Sequence, residues 1–192
     1  RLYTLWTQNL IAWELRLCGR TAEAEPVVRA ALAGYERLAN APIERVVNAQ
    51  NTLALILEAL GQPNEAADVY RAALKLRAVR LGEDHAQSSF LLGNFASLLE
   101  TQEKYDEAEP LYRSLLELAR KTCGEEGPGT LDALNNLAWL LYEAGRFAEA
   151  EPIAAQAVEA YRRSPSVDVL DWISTNDTLG VILCRLDRAA EA

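Results

Sequence analysis

The chain has 192 residues, half of them hydrophobic and 24% charged, with a net charge of −9. That composition allows a sizeable core and excludes a disordered chain. The negative balance argues against nucleic acid, which needs Lys and Arg gathered on one face, and no run of about 18 apolar residues codes a membrane span.

Taken in chain order, the residues repeat themselves at a step of 42. The first repeat, residues 5–46, opens with a predicted helix carrying Ile11, Ala12 and Leu15 on one face. Gly19 ends it, since glycine suits the left-handed residue after a helix. A second helix follows with Ala24 and Leu32 inward and Pro26 in its first turn, where the missing N–H costs nothing. The second repeat, 47–88, has Leu53, Ala54 and Leu57, then Gly61, then Ala66 and Leu74, and a loop at Arg80-Leu81-Gly82. The third, 89–130, has Phe95, Ala96 and Leu99, then Ala108, Pro110 and Leu116. Glu103 stands where glycine is expected, a weaker stop. Its closing loop runs from Thr122-Cys123-Gly124 to Gly127-Pro128.

The fourth repeat, 131–172, is the clearest. Leu134, Leu137, Ala138 and Leu141 follow the i, i+3, i+4, i+7 rule for one buried face. Gly145 stops that helix, and a second is predicted from Ala148 to Arg163, with Ala150, Ala157 and Val158 inward and Pro152 in its first turn. Ser164-Pro165-Ser166 reads as a loop. A partial fifth repeat, 173–192, has Leu179, Gly180 and Leu183, with Asp187 at the stop and Glu191 and Ala192 ending the chain. The expectation is nine full helices, four hairpins plus one, and no strand. The small column Ala12, Ala54, Ala96, Ala138 and Gly180 is expected where paired helices cross, since only short side chains let axes approach. No hairpin buries its faces alone, so each must rest on the next.

This pattern resembles the tetratricopeptide repeat, whose usual unit is about 34 residues. The longer step, with Leu134-Asn135-Asn136-Leu137-Ala138, Tyr105-Asp106-Glu107-Ala108-Glu109-Pro110-Leu111-Tyr112 and Leu81-Gly82-Glu83-Asp84-His85, is similar to the repeats of kinesin light chains. The aromatic after the glycine is kept at Tyr105 and Phe147 but not at Thr21, Pro63 or Ala189. The resemblance implies an all-α, right-handed superhelical solenoid over residues 1–192, a single repeat domain whose first helices line a concave groove. It also implies a module that binds a protein or peptide there. The chain reads as a piece of a longer protein.

Candidate contacts sit on the first helices, opposite the buried stripe. One column is Asn9, Asn51, Gly93, Asn135 and Asp177, and its neighbour is Leu10, Thr52, Asn94, Asn136 and Thr178. An Asn amide both donates and accepts, so a ladder of them suits the backbone of an extended peptide. Aromatic anchors are Trp6 and Phe90 at one repeat position, Trp13 and Trp139 at another, and Tyr142. Aromatics give large contact area at small entropy cost. For each Asn a capping role stays open, and for each Trp a packing role does. Trp172 is expected to pack, and the glutamates Glu23, Glu65, Glu107, Glu149 and Glu191 to be solvated first-turn charges favoured by the helix dipole.

The remaining residues suggest no chemistry. Cys18, Cys123 and Cys184 have no metal or disulfide spacing and are expected as buried or half-buried free thiols. His85, the sole histidine, reads as a loop residue, and no phosphate-loop, nucleophile-elbow or dinucleotide motif occurs. The expectation is therefore a non-enzyme without cofactor or metal, cytoplasmic, binding a protein or peptide and neither nucleic acid nor membrane. Two alternatives remain: a scaffold self-assembling into a homo-oligomer through its repeat ends, and a sensor region of a larger bacterial enzyme.

Overall fold

The computed structural model describes residues 2–81, 89–163 and 169–186, which form nine helices and no strand. His85, Gly82, Ser164-Pro165-Ser166, Asp187, Ala189, Glu191 and Ala192 lie outside the described residues. The chain divides into two compact units, residues 1–85 and 86–192, near the border between the second and third repeats.

The first unit holds α1 (Leu2–Leu17), α2 (Thr21–Glu36), α3 (Ile43–Ala59) and α4 (Pro63–Leu81). α1 pairs with α2, and α3 with α4, while α2 packs on α3 and α1 lies beside α3. The second unit holds α5 (Ser89–Thr101), α6 (Tyr105–Cys123), α7 (Pro128–Glu143), α8 (Phe147–Arg163) and α9 (Val169–Arg185). Each of these packs on the next in sequence, and α7 also lies beside α9. First helices of successive hairpins thus lie side by side at α1–α3 and at α7–α9.

Among the described residues, the alanines of both small columns are fully buried. Ala12, Ala54, Ala96 and Ala138 on the first helices are 0% exposed, as are Ala24, Ala66, Ala108 and Ala150 on the second. Around them Leu57, Leu99 and Leu141, and Leu53, Phe95 and Leu137, make the core. Ile11 departs from its column at 47% exposure, because only α2 and α3 pack on α1 and neither covers that side.

The turn within each hairpin is the same device four times. The residue after the turn donates its N–H five residues back, Arg20 to Leu15, Gln62 to Leu57, Lys104 to Leu99 and Arg146 to Leu141, at 2.8–2.9 Å. The residue before it bonds within the last turn, and its φ must be positive. Gly19, Gly61 and Gly145 meet that with φ of 73–74°. Glu103 occupies the same place with φ 58°. The stop is therefore as sharp as in the other repeats, enforced by packing on both sides. A side chain held in the left-handed region costs about 1–2 kcal/mol. Glu103→Gly is accordingly expected to stabilise the chain by about 0.5–1 kcal/mol, after the added freedom of glycine in the unfolded state. A urea midpoint that fails to rise would show that the Glu103 side chain earns its place by another contact.

The turn between α6 and α7 is closed differently. A Cβ on Gly127 would strike the Cys123 carbonyl oxygen, so only glycine fits there. The buried Thr130 hydroxyl donates to the Gly124 carbonyl at 2.7 Å, fastening the loop to α7.

The second helices are tied across hairpins by charge. Arg29 on α2 bonds Glu25 and reaches Glu65 on α4 at 2.7 Å. Four helices later Arg146, at the start of α8, bonds Glu109 on α6 at 2.6 Å and Glu149 at 2.7 Å. Glu109 also takes Arg113 at 2.6 Å, and its side chain is only 17% exposed. The Arg146 guanidinium, more than that of Arg113, holds the Glu109 carboxyl below the ordinary glutamate range. A depressed folded pKa gives stability that is present above the unfolded value, near ~4.3, and lost as pH falls through the folded one. Glu109→Gln is expected to cost about 1 kcal/mol at neutral pH, and the gap to wild type should close in acid. A gap that stays constant with pH would show that the charge is not what matters at that position.

Candidate peptide-binding face

All the candidate contacts lie on first helices, with Asn9 and Trp13 on α1 and Asn51 on α3 in the first unit. Phe90 and Asn94 lie on α5, Asn135, Asn136, Trp139 and Tyr142 on α7, and Asp177 on α9 in the second. Their exposure is uneven. Asn136, Trp139 and Asp177 are exposed, and the other seven are half-buried.

Asn9 and Asn135, three repeats apart, share a feature. Each Oδ1 is enclosed by the protein and accepts no hydrogen bond. Such an atom carries an uncompensated desolvation cost of about 1–3 kcal/mol. Asn51 and Asn94 differ, being already engaged with neighbours in the chain. In the adjacent column Thr52 and Thr178 are buried, and their hydroxyls donate back to Asn48 and Ser174 carbonyls at 3.0 Å. That column is not a uniform outward row, because a threonine one turn from its acceptor satisfies itself on its own helix.

The structure brings several candidates together at one place. A pocket of about 530 Å³ opens between α7 and α9. Asn135, Asn136 and Trp139 form one wall, and Ile173, Asp177 and Val181 the other. Trp139 is 40% exposed. Its ring leans on Tyr142 at 5.2 Å between centroids, and Tyr142 in turn rests on Phe147 at 5.5 Å. The Tyr142 hydroxyl accepts from Arg185 Nε at 3.4 Å. Tyr142 thus braces the tryptophan from behind and is not itself a pocket wall.

The first unit uses the same position otherwise. Trp13 is half-buried and the Arg16 guanidinium lies over its ring, 4.3 Å from the centroid. Trp6 packs on Tyr3 at 5.5 Å and carries the Arg45 guanidinium at 5.2 Å.

Four expectations need correction. Pro26, Pro110 and Pro152 lie inside α2, α6 and α8, at the sixth residue of each, and not in the first turn. Cys18, Cys123 and Cys184 are free but exposed. Cys18 and Cys123 stand at helix ends and Cys184 in the last turn of α9, where packing is incomplete. Trp172, in the first turn of α9, is 40% exposed rather than packed away. Glu23 and Glu149 are exposed as expected, but they are paired with Arg20 and Arg146 at 2.6 and 2.7 Å.

One recurring pair escaped the sequence reading. Tyr70 donates its hydroxyl to Glu58 at 2.8 Å, and Tyr112 to Glu100 at 2.7 Å, in successive hairpins. Burial pushes both carboxyls above their ordinary range, partly offset by the tyrosine bond. Their stability contribution is present below the unfolded pKa and fades as pH rises through the folded one, opposite in sign to Glu109. Both residues recur at the 42-residue step, so the signal was there to find. In the fourth repeat tyrosine stands at the glutamate position, as Tyr142, and alanine at the tyrosine position, as Ala154. The ring comes from the opposite helix.

Among the described residues no group of three or more His, Cys, Asp or Glu side chains could hold a metal ion. No helix among them is long and apolar enough to cross a membrane.

The geometry agrees with comparison to known proteins. The crystal structure of BtubC (BKLC) from P. vanneervenii matches with a TM-score of 0.86 at 22% identity, over 96% of this chain and 74% of that one. A putative kinesin light chain from Podosopora anserina with nearly identical TPR-like repeats matches at 0.87 and 19% identity, over 100% and 90%. Aspartyl phosphate phosphatase F from Bacillus subtilis matches at 0.79 and 16%, over 100% of this chain but 48% of its own. At these identities the likeness is one of fold. None of the curated proteins compared with the chain matches it. Family models of the tetratricopeptide repeat match residues 4–42, 45–121 and 87–163. With the repeat, the hairpin geometry and these matches in agreement, the chain belongs to the tetratricopeptide repeat family.

Proposed function

We propose that the chain binds an extended peptide segment of a protein partner along its first helices, and that it acts by holding this partner rather than by catalysis. Tetratricopeptide repeats generally mediate protein–protein interaction, and the finer reading rests chiefly on the pocket between α7 and α9. There an exposed aromatic ring stands beside Asn135, whose Oδ1 lacks a donor. A peptide N–H would supply one, since the amide turns easily about its last torsion. The three exposed, unpaired thiols suit a reducing compartment such as the cytoplasm.

The test is calorimetry with peptides selected from a random library against the intact chain. Asn135→Ala is expected to lose about 0.5–1.5 kcal/mol of binding, with the melting temperature nearly unchanged. Full affinity in this variant, or a large loss of stability, would make Asn135 structural instead.

A second reading, self-assembly, is favoured by α1. Ile11 is 47% exposed, whereas its column is buried at Leu53 and Leu137, and Leu10 beside it is 41% exposed. Analytical ultracentrifugation separates the two, because assembly through this face would raise the mass with concentration.

A further inference from the structure

We infer that the pocket between α7 and α9 takes a cationic side chain of the bound peptide, arginine in preference to lysine. The inference rests on the groove reading above and adds what the partner must carry.

The argument starts from the repeat itself. Trp13 and Trp139 hold the same place in the first and fourth repeats. Over Trp13 the chain lays its own Arg16 guanidinium, 4.3 Å from the ring centroid. This shows that a tryptophan at that position is presented in a way that accepts a guanidinium on its face. Three repeats on, the arginine is replaced by Tyr142, which lies against one side of the Trp139 ring. No guanidinium of the described residues stacks on Trp139, and its 40% exposed surface gives onto the pocket. Arg185 is drawn to the Tyr142 hydroxyl and does not line the pocket.

The opposite wall supplies the charge. The ladder column reads Asn9, Asn51, Gly93, Asn135 and then Asp177. At this one rung an amide is exchanged for a carboxylate of the same shape. Asp177 is exposed, lines the pocket and has no ionic partner among the described residues. Elsewhere in the second unit exposed acids such as Glu149 and Glu159 pair with arginines.

A π face and a carboxylate across one opening suit a cation on an apolar stem. The stem would lie against Ile173 and Val181, and the head would sit between Trp139 and Asp177. Guanidinium is favoured over ammonium because it is planar, stacks on aromatic rings and meets a carboxylate with two parallel N–H bonds. An anionic side chain is rejected by Asp177, and the chain's net charge of −9 acts in the same direction.

The experiment pans a random dodecapeptide phage library on the whole chain, in parallel with Asp177→Asn. Wild type is expected to select peptides sharing an arginine or lysine at one fixed position. Replacing that arginine by citrulline, or Asp177 by asparagine, should weaken binding about tenfold. Added salt should narrow the difference. Selected peptides without a common cation, or affinities within about twofold for Asp177→Asn, would overturn the inference. If those peptides still depend on Asn135, the groove reading survives that outcome. If wild type selects no peptide at all, the groove reading fails and this inference fails with it.

Discussion

Ala138→Leu is expected to destabilise the chain by about 1–3 kcal/mol or more. Ala138 is 0% exposed at the middle of α7, which packs on α6, α8 and α9 together. Ala138 lies on the covered side of that helix, where three extra carbons have no open space to move into. The same place on α1, α3 and α5 is alanine with no exposure, and so is the facing column on α2, α4, α6 and α8. A larger side chain must therefore spread a hairpin, and every leucine that spans it loses packing. The check is the urea midpoint against Ala155→Leu, a control on the exposed side of α8 that is expected to shift little. Equal midpoints for the two variants would show that the small column has a cause other than close approach.

Trp139→Ala is the change expected to weaken peptide binding most, by about 2 kcal/mol or more, roughly thirtyfold in affinity. Its ring is the largest apolar surface in the pocket wall and is held in place by Tyr142. A pre-positioned ring loses little freedom on binding. Because Trp139 is 40% exposed, its removal leaves no closed cavity, and the melting temperature should move little. Trp172 is equally exposed but outside the pocket, so Trp172→Ala serves as the control and should keep its affinity. Equal losses in the two variants would point to a general apolar surface rather than this pocket.

Fold and site were legible to different degrees. The helices were readable because burial in a hairpin follows the helical period, and the period is written in residue type. Six columns at a 42-residue step located both helices of every full repeat, and the turn glycines located the stops. The prediction of Ala148–Arg163 for a helix that runs Phe147–Arg163 shows how little was left to packing. The candidate residues were placed on the right helices by the same spacing.

What those residues do on the helices was decided by tertiary structure. Trp13 and Trp139 are indistinguishable in the repeat, yet one is covered by its own Arg16 and the other opens onto a pocket. Asn9 and Asn135 leave an oxygen unpartnered where Asn51 and Asn94 do not. Glu103 takes a glycine's conformation because the helices on either side of the turn demand it. The exposure of Cys18, Cys123 and Trp172, all near helix ends, was likewise not written in the repeat. Periodicity reports one helix's own geometry, whereas each of these outcomes depends on which side chain of a second helix, distant in sequence, reaches the same point in space.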